Sequence, residues 1–121
     1  MSLRGLKINK HIQRTFGEVL QQEANISQDV LVTIARVDTA PNLKNTVIWL
    51  YVQPITEAEA VLAELTQQLY QLQGSLNRKL DLKPFPRVVL KIDYGAEYAD
   101  TIEQRFAELR TSSDENGNTA S

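Results

Sequence analysis

The apolar positions of this chain repeat first with a helical period, then with a strand period, and then the two alternate. From Leu6 to Ala24, Ile8, Ile12, Phe16, Val19 and Leu20 fall at steps of three and four, one stripe of an amphipathic helix. Gly17 lies inside the stripe and Asn25 is a natural stop. Val30 to Thr39 is rich in β-branched residues and reads as a strand. Ala40-Pro41-Asn42-Leu43-Lys44-Asn45 is a turn cluster. Thr46 to Val52 is apolar on both parities, with Ile48, Leu50 and Val52 on one face and Val47, Trp49 and Tyr51 on the other. A strand apolar on both faces belongs in the middle of a sheet. The two strands are close enough to pair as a hairpin.

Thr56-x-x-Glu59 fits a capping box, and it opens a helix carrying Val61, Leu62, Leu65, Leu69, Leu72 and Leu76. Gly74 interrupts this helix, and a break is expected there. Pro84-Phe85-Pro86 ends any helix that remains. Arg87 to Asp93 alternates, with Val88, Leu90 and Ile92 inward and Arg87, Val89 and Lys91 outward. Ala96 to Leu109 carries Tyr98, Ile102, Phe106 and Leu109, a short closing helix, and residues 111–121 hold nothing to bury. The string is α-β-β-α-α-β plus a C-terminal helix. Three strands are too few for a closed barrel, so the expected class is α+β, a small sheet with helices packed on one face. The third strand, returning after a helical crossover, should run parallel to one strand of the hairpin. The domain should span residues 1–110, followed by a disordered acidic tail over 111–121.

At 121 residues the chain suits one domain with one modest core. It has no cysteine, which excludes disulfides and thiolate metal sites and suits a reducing compartment. The first thirteen residues contain no apolar core of a signal peptide, and no apolar run approaches the roughly 20 residues that cross a bilayer. A cytoplasmic protein is expected. No heptad or long unpaired apolar face argues for a dimer, so a monomer is expected.

The net charge of −2 hides a segregation. Arg78, Lys79, Lys83, Arg87 and Lys91 face only Asp81, whereas the chain from Asp93 onward is strongly acidic. Lys7, Lys10 and Arg14 share one face of the first helix. If the two basic sets converge, they form a patch suited to phosphate oxygens. An ordinary solvated surface is the plainer reading of the charge alone. Trp49 and Tyr51 would lie on the open face of the sheet, where they could stack on bases; the plainer reading is a cross-strand aromatic patch, or cover by the last helix.

Catalytic chemistry is poorly represented. The lone His11 sits in the first helix with no nucleophile motif, and capping and solvation explain Glu57, Glu59 and Glu64. Asp93 is accounted for by hydrogen bonds to the turn that follows. No phosphate loop, metal spacing or serine elbow occurs. No enzyme, metal, cofactor or small-molecule substrate is expected.

The ordered set of signatures resembles one family, the bacterial ribosome-binding factor A proteins. FGEVLQQEA resembles the end of that family's opening helix, LVTIARVDTAPNLKNTVIWLYV its hairpin, LDLKPFPRVVLKID its strand ending in aspartate, and TIEQRFAEL its closing helix. The similarity runs from about Ile8 to Leu109. It implies a type II KH-like fold and a non-catalytic factor that binds the free small (30S) ribosomal subunit. Such a factor assists late maturation of 16S rRNA and matters most for growth in the cold. The chain departs from the family at its Ala-x-Gly kink. That position falls on Gln68-Leu69-Tyr70, and the family's arginine shortly after it falls on Gln73. RNA contact is therefore assigned to the basic residues after Gly74 and on the first helix. The alternative is a protein-interaction module on the same scaffold, without direct RNA binding.

Overall fold

The computed structural model describes residues 3–81, 83 and 85–95. The expected closing helix over 96–109 and the tail over 111–121 lie outside the described residues. Helix α1 (Leu3–Glu23) buries Ile12, Phe16, Val19 and Leu20, the stripe its spacing defines. Asn9 and Thr15 are buried on the same helix. The Asn9 Oδ1 accepts the Thr39 N–H at 3.1 Å, which ties α1 to the end of the first strand. At the other end of α1 the Gln68 side chain clasps the backbone of Asn25. Its Oε1 accepts the Asn25 N–H at 2.7 Å and its Nε2 donates to the Asn25 carbonyl at 2.9 Å. Backbone groups left open past the helix end thus find partners on a second helix.

Strands β1 (Leu31–Thr39) and β2 (Asn45–Gln53) pair antiparallel, and β2 pairs parallel with β3 (Arg87–Ile92). The sheet order is β1-β2-β3. The strand apolar on both parities is the central one, and the third strand runs parallel to it. The hairpin turn closes with Ala40 N–H donating to Asn45 O at 2.8 Å and Leu43 N–H to Ala40 O at 2.8 Å. Leu43 takes φ 62°, and the Asn42 Oδ1 beside it accepts the Lys44 N–H at 2.9 Å.

The expected capping box does not form. A single 3₁₀ turn, Ile55–Glu57, follows Pro54, and Glu57 N–H donates to Pro54 O at 3.0 Å. Thr56 is therefore inside a turn, and Glu57 becomes the residue before α2 (Ala58–Lys79), with no side-chain cap. The expected break at Gly74 is absent too. Helix α2 runs unbroken through it for 22 residues, so one helix stands where two were expected. Glycine costs about 1 kcal/mol in a helix interior. Burying one leucine stabilises by about 1.5–3 kcal/mol. Leu72 and Leu76, both buried, flank Gly74 at the helical spacing, and packing wins. The helix ends at Leu80, which turns extended (φ −86°, ψ 136°). Arg78 and Lys79 lie in the last turn, where cations complement the helix dipole.

Both helices lie on one face of the sheet. Ile48, Leu50 and Val52 of β2 meet Ile12, Phe16 and Val19 of α1 and Val61, Leu65, Leu72 and Leu76 of α2 in one core, closed by Val88 and Ile92 of β3. The architecture is a two-layer α+β domain of the type II KH-like class. Among the described residues, no helix is long and apolar enough to cross a membrane.

Candidate nucleic-acid interface

The face of the sheet opposite the helices carries Val47, Trp49 and Tyr51, all half-buried. Strand register sets Trp49 between Arg36 of β1 and Lys91 of β3. The Arg36 guanidinium lies 4.4 Å from the centroid of the indole ring, and the Lys91 ammonium lies 5.4 Å from it. Such contacts contribute about 0.5–1 kcal/mol each at exposed sites. The result is a row of two cations held on either side of an aromatic ring. Arg36 reaches this face because the β1–β2 register shifts between Ile34 and Arg36. One extra residue in β1 flips the parity, so that Ile34 and Val37 both face the core.

The other basic residues fall in separate places. Arg78 and Lys79 end α2 beside the C-terminal turn of α1. The Arg78 guanidinium donates to Ser75 Oγ at 2.9 Å, Ser75 Oγ donates to Glu23 Oε1 at 2.5 Å, and Lys79 Nζ donates to Gln22 Oε1 at 3.0 Å. Lys83 is exposed between α2 and β3. Arg87 opens β3 and is exposed, its N–H donating to Lys44 O at 2.9 Å. Lys7, Lys10 and Arg14 lie along the outer side of α1. Lys10 follows Asn9, which is tied to the Thr39 end of the sheet, and Thr39 pairs with Thr46 and Thr46 with Val88. Lys10 and Arg87 therefore occupy the same end of the sheet. Lys10 stands about 18 Å of helix before Gln22, the partner of Lys79. Arg14 lines a groove between α1 and β1 with Gly17, Gln21 and Leu31. Lys91 beside Trp49, Arg78 with Lys79, and Lys10 with Arg87 thus take three separate places.

Two side chains escaped the sequence reading. Arg36 is one, and the switch in apolar parity from Val32 and Ile34 to Val37 was the available signal. Gln73 is the other. Its Oε1 accepts the Val88 N–H at 2.8 Å, and its Nε2 donates to Pro86 O at 3.1 Å and Asn77 Oδ1 at 2.9 Å. Spacing alone carries no signal for that pairing. Asp93 behaves as the turn chemistry suggested, its Oδ1 accepting the Gly95 N–H at 2.9 Å. His11 is half-buried on α1, and among the described residues no cluster of His, Asp and Glu is arranged to hold a metal ion.

Comparison with known proteins places this geometry. The model of the family "Ribosome-binding factor A" matches residues 4–106. A ribosome-binding factor A of Bradyrhizobium diazoefficiens is 30% identical over 108 residues, covering 85% of this chain and 74% of that protein. One from Oenococcus oeni is 29% identical over 110 residues, covering 89% and 91%. Among solved structures, the crystal structure of a Thermus thermophilus ribosome-binding factor A superposes with a TM-score of 0.65 at 17% identity, over 73% of this chain and 93% of that one. A homology model of the Thermus thermophilus factor, fitted into a cryo-EM map of a 30S complex, gives 0.58 at 20% identity over 67% and 86%. On the strength of a family match that spans α1 through β3 and continues beyond, this chain belongs to the ribosome-binding factor A family.

Proposed function

We propose that this chain binds the free small ribosomal subunit in the cytoplasm and assists late maturation of 16S rRNA, without catalysing a reaction of its own. The family match over residues 4–106 carries the reading. The Thermus thermophilus relative fitted into a 30S complex supplies the partner. The chain works as a monomer, needs no cofactor, and matters most to growth in the cold.

Arg78, Lys79, Lys83, Arg87 and Lys91 are the residues assigned to phosphate oxygens, with Lys7, Lys10 and Arg14 of α1 as a second group. Their separation suits a folded RNA that touches the protein at several points rather than one continuous strand. Each phosphate neutralised releases counterions, so affinity falls with salt. Five such contacts give a log–log slope of about −4. The test is the triple variant Arg78→Glu, Lys79→Glu and Lys83→Glu. It should lose binding to small subunits while still unfolding cooperatively, at a midpoint lowered by loss of the Arg78–Ser75 and Lys79–Gln22 bonds. Binding equal to wild type overturns the assignment.

The row of Arg36, Trp49 and Lys91 favours a second reading, in which the open face contacts a protein. That reading requires weak salt dependence and loss of binding on Trp49→Ala.

A further inference from the structure

Helix α2 leaves a tyrosine standing in solvent. Tyr70 is 91% exposed, so its ring adds nothing to the core. Tyr70, Gly74 and Arg78 follow one another at steps of four and share one side of the helix. Side chains of a helix lean toward its N-terminus, and Gly74 puts no side chain in the way of Arg78. The guanidinium therefore folds back over Gly74, where an added Cβ would lie 3.5 Å from Arg78 Nη1. That places it about 6 Å of helix from Tyr70. Packing within the chain does not call for the glycine, since 3.5 Å is an ordinary contact, and glycine weakens a helix interior. What the glycine does is leave open a hollow of about 530 Å³ between α2 and the end of α1, lined by Tyr70, Gln71, Gly74, Asn77, Arg78 and Glu23 among others. The Arg78 guanidinium is steadied there by Ser75 Oγ at 2.9 Å, and Ser75 in turn engages the Glu23 carboxylate at 2.5 Å. The first bond uses one donor of the guanidinium fork and leaves the rest for a ligand.

We infer that this hollow takes one unpaired nucleotide of RNA, its base stacked on the Tyr70 ring and its phosphate on Arg78. A solvated aromatic ring is a platform for any base, because every base has a π-face. The planar guanidinium matches phosphate oxygens, and its anchoring on Ser75 fixes its direction before the ligand arrives. Gln71 and Asn77 bring side-chain amides, which both donate and accept, to the edge of the base. A duplex keeps its bases paired and stacked on one another, so it offers no face to Tyr70. The site is therefore selective for single strands, which phosphate contacts alone would not make it. The inference deepens the ribosomal reading and rests on it for the source of the RNA; the site itself is built from α2 and the end of α1.

The experiment is fluorescence anisotropy of a dye-labelled oligouridylate titrated with the full chain across a salt series, wild type against Tyr70→Ala and Tyr70→Phe. Tyr70→Ala should weaken binding about tenfold, the loss of one stacked base. The slope of log affinity against log salt should not change in that variant, because no phosphate contact is removed. Tyr70→Phe keeps the ring and should stay within about twofold of wild type. Both variants should unfold at the wild-type midpoint, since the ring is solvated. The same oligouridylate paired with oligoadenylate should bind wild type and Tyr70→Ala alike. Equal binding of the single strand by wild type and Tyr70→Ala, or no binding by wild type at low salt, overturns the inference. A loss in Tyr70→Phe as large as in Tyr70→Ala assigns the effect to the hydroxyl and overturns it too. Sedimentation with small subunits separates this inference from the ribosomal reading. A chain that joins subunits but binds oligouridylate without regard to Tyr70 contradicts the nucleotide site alone. Tyr70-dependent binding of oligouridylate without any binding to subunits supports the site and contradicts the ribosomal role alone. A Tyr70→Ala chain that fails to join subunits yet binds oligouridylate as wild type does would assign the ring to a protein contact, and that result overturns the inference.

Discussion

The Gln73 side chain closes the outer edge of β3 at Val88. Arg87 directs its own N–H toward Lys44 of the β2 side, at 2.9 Å. The Pro86 carbonyl and the Val88 N–H flank it and therefore point the other way, to the free edge of the sheet. Gln73 reaches both, at 3.1 and 2.8 Å, so a side-chain amide does there what a fourth strand would do.

Gln73→Leu removes both bonds while keeping most of the volume. It leaves a partly buried N–H and carbonyl without partners, at a cost of about 1–3 kcal/mol. Urea denaturation should show that loss, with α2 intact by far-UV circular dichroism. A change below a few tenths of a kcal/mol would mean that water replaces the amide at no cost.

Gly74→Ala should stabilise the domain by about 0.5–1 kcal/mol. Gly74 sits inside a continuous helix, and an added Cβ would meet Arg78 Nη1 at 3.5 Å, an ordinary contact. Thermal unfolding decides the point. A lower midpoint for the alanine variant would mean that the helix needs to break there after all.

Periodicity made most of the fold legible. The stripe of α1, the double-sided β2 and the alternation of β3 determined which residues are buried, because burial is what those periods encode. The family resemblance supplied the same class independently. Gly74 was misleading, since helix propensity is a small local term that buried Leu72 and Leu76 outweigh. Thr56 was misleading for a related reason. The motif describes a helix that starts at once, whereas the turn Ile55–Glu57 takes in Thr56 and moves the cap position one residue on, to Glu57. The site was less legible. A run of cations along the sequence says nothing about which face each one takes. Arg36 entered the open face only through a bulge, which shifts parity by one residue.

Arg36 and Trp49 should couple measurably. In a double-mutant cycle of Arg36→Ala and Trp49→Ala, the coupling energy should be about 0.5–1 kcal/mol, the range of an exposed cation–π contact. High salt should reduce it only in part, since the ring quadrupole acts at close range. Additive single effects would show that the 4.4 Å approach contributes nothing to stability.

Ser75 links the ends of the two helices, receiving Arg78 and donating to Glu23. It is 2% exposed, so Ser75→Ala removes a bridge that water cannot easily replace. The expected cost is about 1–2 kcal/mol, with hydrogen bonds to charged groups at the upper end. Equilibrium unfolding gives the number, and the loss should shrink in Ser75→Thr if the added methyl is accommodated.

Binding to the small subunit is tested most directly by sedimentation of the purified chain with separated ribosomal subunits across a salt series. Co-migration with free small subunits, and not with large ones, should appear at low salt and fade steeply as salt rises. No co-migration at low salt would contradict that role, leaving a family fold without the family's partner.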